Sequence, residues 1–247
     1  MLFRYKKLNL YKFRHIPPIS NQEYVKTFYM SKIPVYFMPG MAASSRIFER
    51  ILLPEDRFET VLLEWDIPLD KETLQDYAKR MAQKIKHDNP VLIGVSFGGI
   101  LVQEMMQFIN ARKVIIISSV KSNSEFPRRM KLARTTKVYK LLPMNLVTNI
   151  ETVARFSFGD KINQRLKLYE KFLSVRDKRY LDWAIEQVIL WDRTVEDEKV
   201  IHIHGDADEV FPIKYIKKST VIKGGTHIMI LNKYKWLNEN LPRIILE

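Results

Sequence analysis

Residues Pro90-Val91-Leu92-Ile93-Gly94-Val95-Ser96-Phe97-Gly98-Gly99-Ile100-Leu101-Val102 constrain the fold of this chain more than any other stretch. An apolar, strand-like run ends in Gly-x-Ser-x-Gly and passes directly into a helix-compatible segment. A serine at such a junction sits on a tight, strained turn with its hydroxyl lifted above the sheet edge. Any side chain at Gly94 or Gly98 would collide with the strand or helix beside it, so both flanks must be tiny. Short glycine-rich patterns recur by chance. The position of this one, between a buried strand and a helix start, is what gives it weight.

The surrounding chain keeps the same rhythm. Short apolar runs at residues 33–38, 60–64, 91–95, 113–118, 199–205 and 219–222 read as strands. Between them, residues 45–53, 71–86 and 97–110 read as helices, and a last helix is expected over 228–240. Strands buried on both faces and alternating with helices imply an α/β fold with a mostly parallel sheet and right-handed crossovers. The alternation breaks between residues 121 and 194, where helical stretches are expected at 128–141, 146–156, 163–173 and 180–191. The core is therefore expected over 33–120 and 195–247, with a helical insertion at 121–194. Residues 1–32 are basic, aromatic and irregular, broken by Pro17-Pro18, and read as an N-terminal extension.

Composition narrows the function. With 247 residues, 46% of them hydrophobic, the chain can bury one large core, with or without an inserted subdomain. No apolar run approaches the roughly 18 residues of a membrane span, so no membrane-spanning segment is expected. Met1-Leu2-Phe3-Arg4-Tyr5-Lys6-Lys7 carries charges where a signal peptide needs an apolar core, which points to a cytoplasmic protein. Lack of cysteine removes disulfides and thiolate chemistry. A net charge of +13 could mean nucleic acid or an anionic membrane surface. The basic residues are dispersed and no binding motif surrounds them, so a solvated basic surface with no specific nucleic-acid partner is the better reading. The cluster Arg128, Arg129, Lys131, Arg134, Lys137 and Lys140 is the best candidate for an acidic partner.

A serine hydroxyl near neutral pH needs a base within hydrogen-bond reach, and the base needs a group to fix its tautomer. Five histidines are available. His15 lies in the irregular extension, His87 sits at a helix end beside Asp88 and Asn89 in a solvated setting, and His202 and His204 share a strand. His227 follows a strand and a glycine pair, in a loop that can present its ring over the C-terminal edge of the sheet, where open parallel sheets bind ligands. Capping of the last helix is the plainer role for such a loop histidine. The chain order Ser96, then acid, then His227 favours catalysis. The acid is sought in Gly205-Asp206-Ala207-Asp208-Glu209. Asp208 stands farther from the strand, just before Val210-Phe211-Pro212 is expected to start a helix. Asp206, beside a glycine, is expected to hydrogen-bond the turn and is the alternative acid. Glu209 is expected to face solvent.

A developing oxyanion needs two preorganised backbone donors. The Phe97 amide, at the start of the helix after the serine, is one candidate. The Met41 amide, in the Pro39-Gly40-Met41-Ala42 loop, is the other. The Met41 side chain would then line an acyl pocket, or act as ordinary core packing. Tyr139, Phe156, Phe158, Phe172, Tyr180, Trp183 and Trp191 suggest an apolar pocket wall, although helical spacing makes internal packing the commoner role. Trp183, Trp191 and Trp65, in Glu64-Trp65-Asp66 at a strand end, are the candidate substrate contacts. Ser118 and Ser119 read as pocket wall or turn.

Gly94-Val95-Ser96-Phe97-Gly98-Gly99, His204-Gly205-Asp206-Ala207-Asp208 with Val210-Phe211-Pro212, and Gly224-Gly225-Thr226-His227 together resemble the α/β-hydrolase family. They match its nucleophile elbow, acid loop and histidine loop. The similarity runs from about Ile33 to the C-terminus, and the insertion stands where the family carries its cap. Pro39-Gly40 replaces the His-Gly pair of many members and resembles thioesterase-like ones; the usual strand hairpin ahead of Ile33 is weak or missing. The resemblance implies a serine hydrolase of carboxylesterase type. It would act by two-step acyl transfer on a small, apolar acyl substrate, with Ser96, His227 and Asp208 as a triad and no cofactor or metal. Acyl thioesterase activity on the same triad is the alternative; a non-catalytic basic binding module is a third reading. His202-x-His204-x-Asp206 superficially copies a zinc ligand run, but Ala207 stands where another histidine would follow and few histidines remain to complete a shell.

Overall fold

The computed structural model describes residues 32–137 and 172–247. The expected N-terminal extension (all but residue 32), the expected helix 146–156, and Tyr139, Lys140, Phe156 and Phe158 lie outside the described residues. Six strands form one sheet, β1 (Ile33–Met38), β2 (Phe58–Leu62), β3 (Val91–Val95), β4 (Lys113–Ile117), β5 (Val200–Gly205) and β6 (Thr220–Ile222), in the order β2-β1-β3-β4-β5-β6. Every pairing is parallel. The central strands explain themselves: all of Val91–Val95 and the last four residues of Lys113–Ile117 are buried, as strands covered on both faces must be. The order in which strands are added reverses between β1 and β3, and residues following both strands, Gly40, Met41 and Ser96, share one pocket wall.

Helices α1 (Leu74–Ala82), α2 (Phe97–Met105), α3 (Arg128–Thr136), α4 (Lys178–Leu190), α5 (Met229–Asn232) and α6 (Tyr234–Leu246) accompany the sheet. Residues Lys32–Glu247 form one compact unit. All nine residues of α2 are buried, because it lies between the sheet and other helices, α1 and α4 among them.

Several helices are shorter than their apolar pattern predicts, each for a local reason. The segment expected at 71–86 becomes helical only at Leu74. Lys71 is left-handed (φ 56°), the Glu72 carboxylate accepts the Leu69 amide, and Thr73 caps the helix through the Asp76 amide. At its other end the chain turns, and the Lys86 amide donates to the Tyr36 hydroxyl. Only Ser45–Phe48 of the segment 45–53 is helical, as a 3₁₀ turn. The helix expected after Val210-Phe211-Pro212 is likewise a single 3₁₀ turn, Ile213–Tyr215. The last helix, expected whole, breaks at Lys233 into α5 and α6.

Glycines set three close approaches. A Cβ on Gly98 would stand 2.3 Å from the Pro39 carbonyl oxygen, and one on Gly94 equally close to the Gly98 carbonyl. A Cβ on Gly205 would stand 2.1 Å from the Gly225 carbonyl oxygen, so the acid loop and the histidine loop touch backbone to backbone. Gly205→Ala is expected to cost about 2 kcal/mol or more, since backbone rather than a flexible side chain must yield. Urea unfolding of the variant checks this, and an unchanged midpoint would contradict it.

Candidate active site

Ser96 links β3 to α2 with φ 53° and ψ −119°, a conformation that few residues other than glycine adopt. Two hydrogen bonds anchor the turn: the Ser96 amide donates to the Ile117 carbonyl at 2.9 Å, and the Ser119 hydroxyl donates to the Ser96 carbonyl at 2.7 Å. Its side-chain oxygen lies 2.9 Å from His227 Nε2. His227 precedes α5, where the Met229 amide donates to the Thr226 carbonyl and closes the loop. The ring's Nδ1 is 2.9 Å and 3.2 Å from the two carboxylate oxygens of Asp208.

Asp208 is buried, and its Oδ1 also accepts from the Val210 amide at 2.8 Å and the Phe211 amide at 2.9 Å. Burial alone would push its carboxyl upward. The facing His227, the hydrogen bond to that ring, His204 and the Phe211 amide outweigh burial and hold it below the ordinary 3.8. An ionised carboxylate only accepts, so Nδ1 of His227 carries the proton in the neutral ring, and Nε2 is left to accept the Ser96 hydroxyl proton. Hydroxyl, imidazole and carboxylate therefore form one continuous hydrogen-bonded line.

Asp206, the alternative acid, does not join that line. It is exposed, and its Oδ1 accepts from the Gly224 amide at 2.6 Å, which ties the acid loop to the histidine loop. Glu209 is exposed. His87 is less solvated than expected, with Nδ1 2.7 Å from the Tyr36 hydroxyl.

A pocket of about 60 Å³ opens beside the line; its wall includes Gly40, Met41, Ser96, His227, Phe172 and Ile230. Met41 is thus at the pocket. The Phe97 amide is the first of α2, where helix geometry leaves N–H groups without an intrahelical acceptor. Ala43, Ile47, Val95, Leu173, Ile228 and Leu231 complete the apolar side. Phe172 is brought there by its own carbonyl, which accepts the Ser44 amide at 3.0 Å, with the Val175 amide donating to the Ala42 carbonyl three residues later.

Trp65, Trp183 and Trp191, expected at the substrate, stand outside this pocket wall. All three are buried with their indole N–H groups engaged. Trp65 donates to the Gly40 carbonyl at 2.9 Å and stacks on Phe97 with ring centroids 4.9 Å apart. Trp183 donates to the Glu72 carbonyl at 2.7 Å, and Trp191 to the Glu104 carboxylate at 2.9 Å. Their positions are those of braces behind the site. Glu64 is turned to the Ser45 amide and hydroxyl, and Asp66 to Arg80. Ser118 is a left-handed turn residue (φ 48°), and Ser119 holds the serine turn rather than lining the pocket.

Among the described residues no group of His, Cys, Asp and Glu is arranged to hold a metal ion. His202 and His204 hydrogen-bond each other instead, Nε2 to Nδ1 at 3.0 Å. Of the basic cluster, Arg129 donates to the Glu209 and Val210 carbonyls, Lys131 to the Ser124 carbonyl and Arg134 to the Trp191 carbonyl, so these cations close loops of the fold. Among the described residues no helix is long and apolar enough to cross a membrane.

No protein-family model matches the sequence, and no curated protein resembles it in sequence. Solved structures do resemble it. An esterase from Exiguobacterium antarcticum matches with a TM-score of 0.65 at 18% identity, over 88% of this chain and 93% of its own. An enol-lactonase from Burkholderia xenovorans matches at 0.66 and 11%, over 88% and 92%. A bromoperoxidase from Bacillus anthracis matches at 0.63 and 17%, over 87% and 92%. The chain has the α/β-hydrolase fold, a parallel six-stranded sheet flanked by helices.

Burial pushes His202 well below the ordinary histidine value of 6.5, with His204 and Lys121 adding to it; burial also lowers His204, against the pull of Asp208. Both rings take up protons more readily in the unfolded chain than in the folded one, so protons favour unfolding. Their contribution to stability is complete above pH 6.5 and declines as pH falls below it. Urea midpoints measured at about pH 7.5 and about pH 5.5 should therefore drop at the lower pH; an equal or higher midpoint there would contradict this assignment.

Proposed function

We propose that this protein is a serine hydrolase that cleaves an ester-type acyl bond of a small, apolar substrate. The observation that carries the proposal is the unbroken line from the Ser96 hydroxyl through His227 to Asp208, ending at a pocket with Met41 in its wall. Ser96 Oγ attacks the acyl carbonyl while His227 Nε2 takes its proton. Asp208 holds the ring in the required tautomer and stabilises the imidazolium. The Met41 and Phe97 amides donate to the oxyanion. His227 then gives its proton to the leaving alcohol, and the acyl group remains on Ser96. Water, deprotonated by His227, attacks the acyl-enzyme; collapse releases the acid and returns the proton to Ser96.

Residues 33–120 and 195–247 would form the catalytic core and 121–194 a helical cap, whose Phe172 and Leu173 help close the acyl pocket. The apolar wall and modest volume of that pocket support a short acyl chain. Structural similarity to an esterase and a lactonase accords with acyl-oxygen chemistry.

Ser96→Ala is expected to abolish labelling by a fluorophosphonate and to lower p-nitrophenyl ester hydrolysis by about a thousandfold or more. Asp208→Asn should lower kcat by a similar order, because it favours the wrong tautomer. Labelling that survives Ser96→Ala would refute the assignment. Across a p-nitrophenyl ester series, kcat/KM should be highest for the shortest acyl chains; a maximum at long chains would refute the pocket assignment.

A further inference from the structure

Two buried histidines stand behind Asp208 and take no step in the proposed reaction. His204 is fully buried and His202 nearly so. His204 Nε2 lies 2.8 Å from the Phe211 carbonyl and 3.7 Å from Asp208 Oδ2, while its Nδ1 faces His202 Nε2 at 3.0 Å. A carbonyl can only accept, so His204 carries its proton on Nε2. The neutral ring then has a bare Nδ1, which accepts from His202 Nε2–H. On this assignment His202 Nδ1 is the atom left bare. The tautomers of both rings are thus set in series from one backbone carbonyl.

Phe211 links this pair to the acid. Its amide donates to Asp208 Oδ1 and its carbonyl accepts from His204, so the peptide segment that cradles the carboxylate is gripped from behind. We propose that His204, oriented by His202, is a positioning residue for Asp208: it pins the acid loop through the Phe211 carbonyl and holds its Nε2 3.7 Å from Asp208 Oδ2, the carboxylate oxygen nearest His227. This rests on the reading of Ser96, His227 and Asp208 as the reacting line. Neutrality matters because a cationic His204 would compete with the imidazolium of His227 for the same carboxylate. The ionisable groups around the pair are Asp208, His227 and Lys121; burial opposes a charge on both rings, Lys121 adds to this at His202, and at His204 the nearby Asp208 pulls the other way.

The test is a double-mutant cycle of His204→Leu and Asp208→Asn, followed by p-nitrophenyl acetate hydrolysis and the rate of fluorophosphonate labelling. In the wild-type background His204→Leu should lower kcat about tenfold with KM changed less than about twofold. With Asp208→Asn already present the same change should cost less than about twofold, because there is no carboxylate left to position. His204→Gln, whose amide nitrogen can reach the place of Nε2, should recover most of the loss. Should His204→Leu fail to fold by circular dichroism, His204→Asn, polar but too short to reach Phe211, takes its place in the cycle. An equal loss in both backgrounds, a loss confined to KM, or no loss would overturn the inference while Ser96-dependent hydrolysis still stood. Hydrolysis independent of Ser96, or none by the wild type, would instead refute the reading of the site and this inference with it.

Discussion

The arrangement depends on one steric constraint, the contact of the first turn of α2 with the end of β1. Because Gly98 has no side chain, that turn lies directly against the Met38 and Pro39 carbonyls. The same closeness forces the left-handed bend at Ser96, a conformation that costs on the order of 1–3 kcal/mol and persists only where its surroundings over-determine it. Here the surroundings are the Ile117 carbonyl, the Ser119 hydroxyl and the packing of α2. The bend lifts the hydroxyl, sets the Phe97 amide at the start of α2 and brings Ser96 against Gly40 of the loop that carries Met41. One geometric restriction thus orders the serine and both candidate oxyanion donors.

The acid end is held by different means. Asp208 sits in a buried place where an ion would be unstable alone. Two amides, the His227 ring and the nearby His204 ring surround its oxygens, and the net effect favours the charged form. Arg129 adds a clasp from α3 to the Glu209 and Val210 carbonyls, so helical chain outside the sheet helps fix the loop. A carboxylate held this way has little freedom to rotate, which suits a role in orienting an imidazole.

Much of this was legible in the residues themselves. Continuous apolar runs such as Val91–Val95 and Lys113–Ile117 admit few structures other than buried parallel strands, and their order along the chain restricts where loops can converge. Ser96, Asp208 and His227 could be picked out because each follows a strand at the same sheet edge. The tryptophans were harder to read, since an indole is large and apolar whether it lines a pocket or fills a core, and the acceptor of its N–H is not written in the local sequence. Trp65 found the Gly40 carbonyl, a partner 25 positions away that no local pattern indicates. Helix lengths were overestimated where left-handed Lys71 or a side chain such as Glu72 competes for backbone groups. The wall formed by Phe172 depends on a backbone bond to Ser44 across more than a hundred residues, and periodicity carries no trace of it.

The enclosure of α2 on every side also bears on how such a sequence can change over time. With no residue of Phe97–Met105 facing solvent, each side chain is in contact with the sheet, a neighbouring helix or an indole. Drift at any one position then opens a gap or a clash unless a facing residue drifts with it. Homologues of this chain would consequently be found to co-vary along this helix in pairs, with Phe97 tracking Trp65 and Glu104 tracking Trp191 and Arg193.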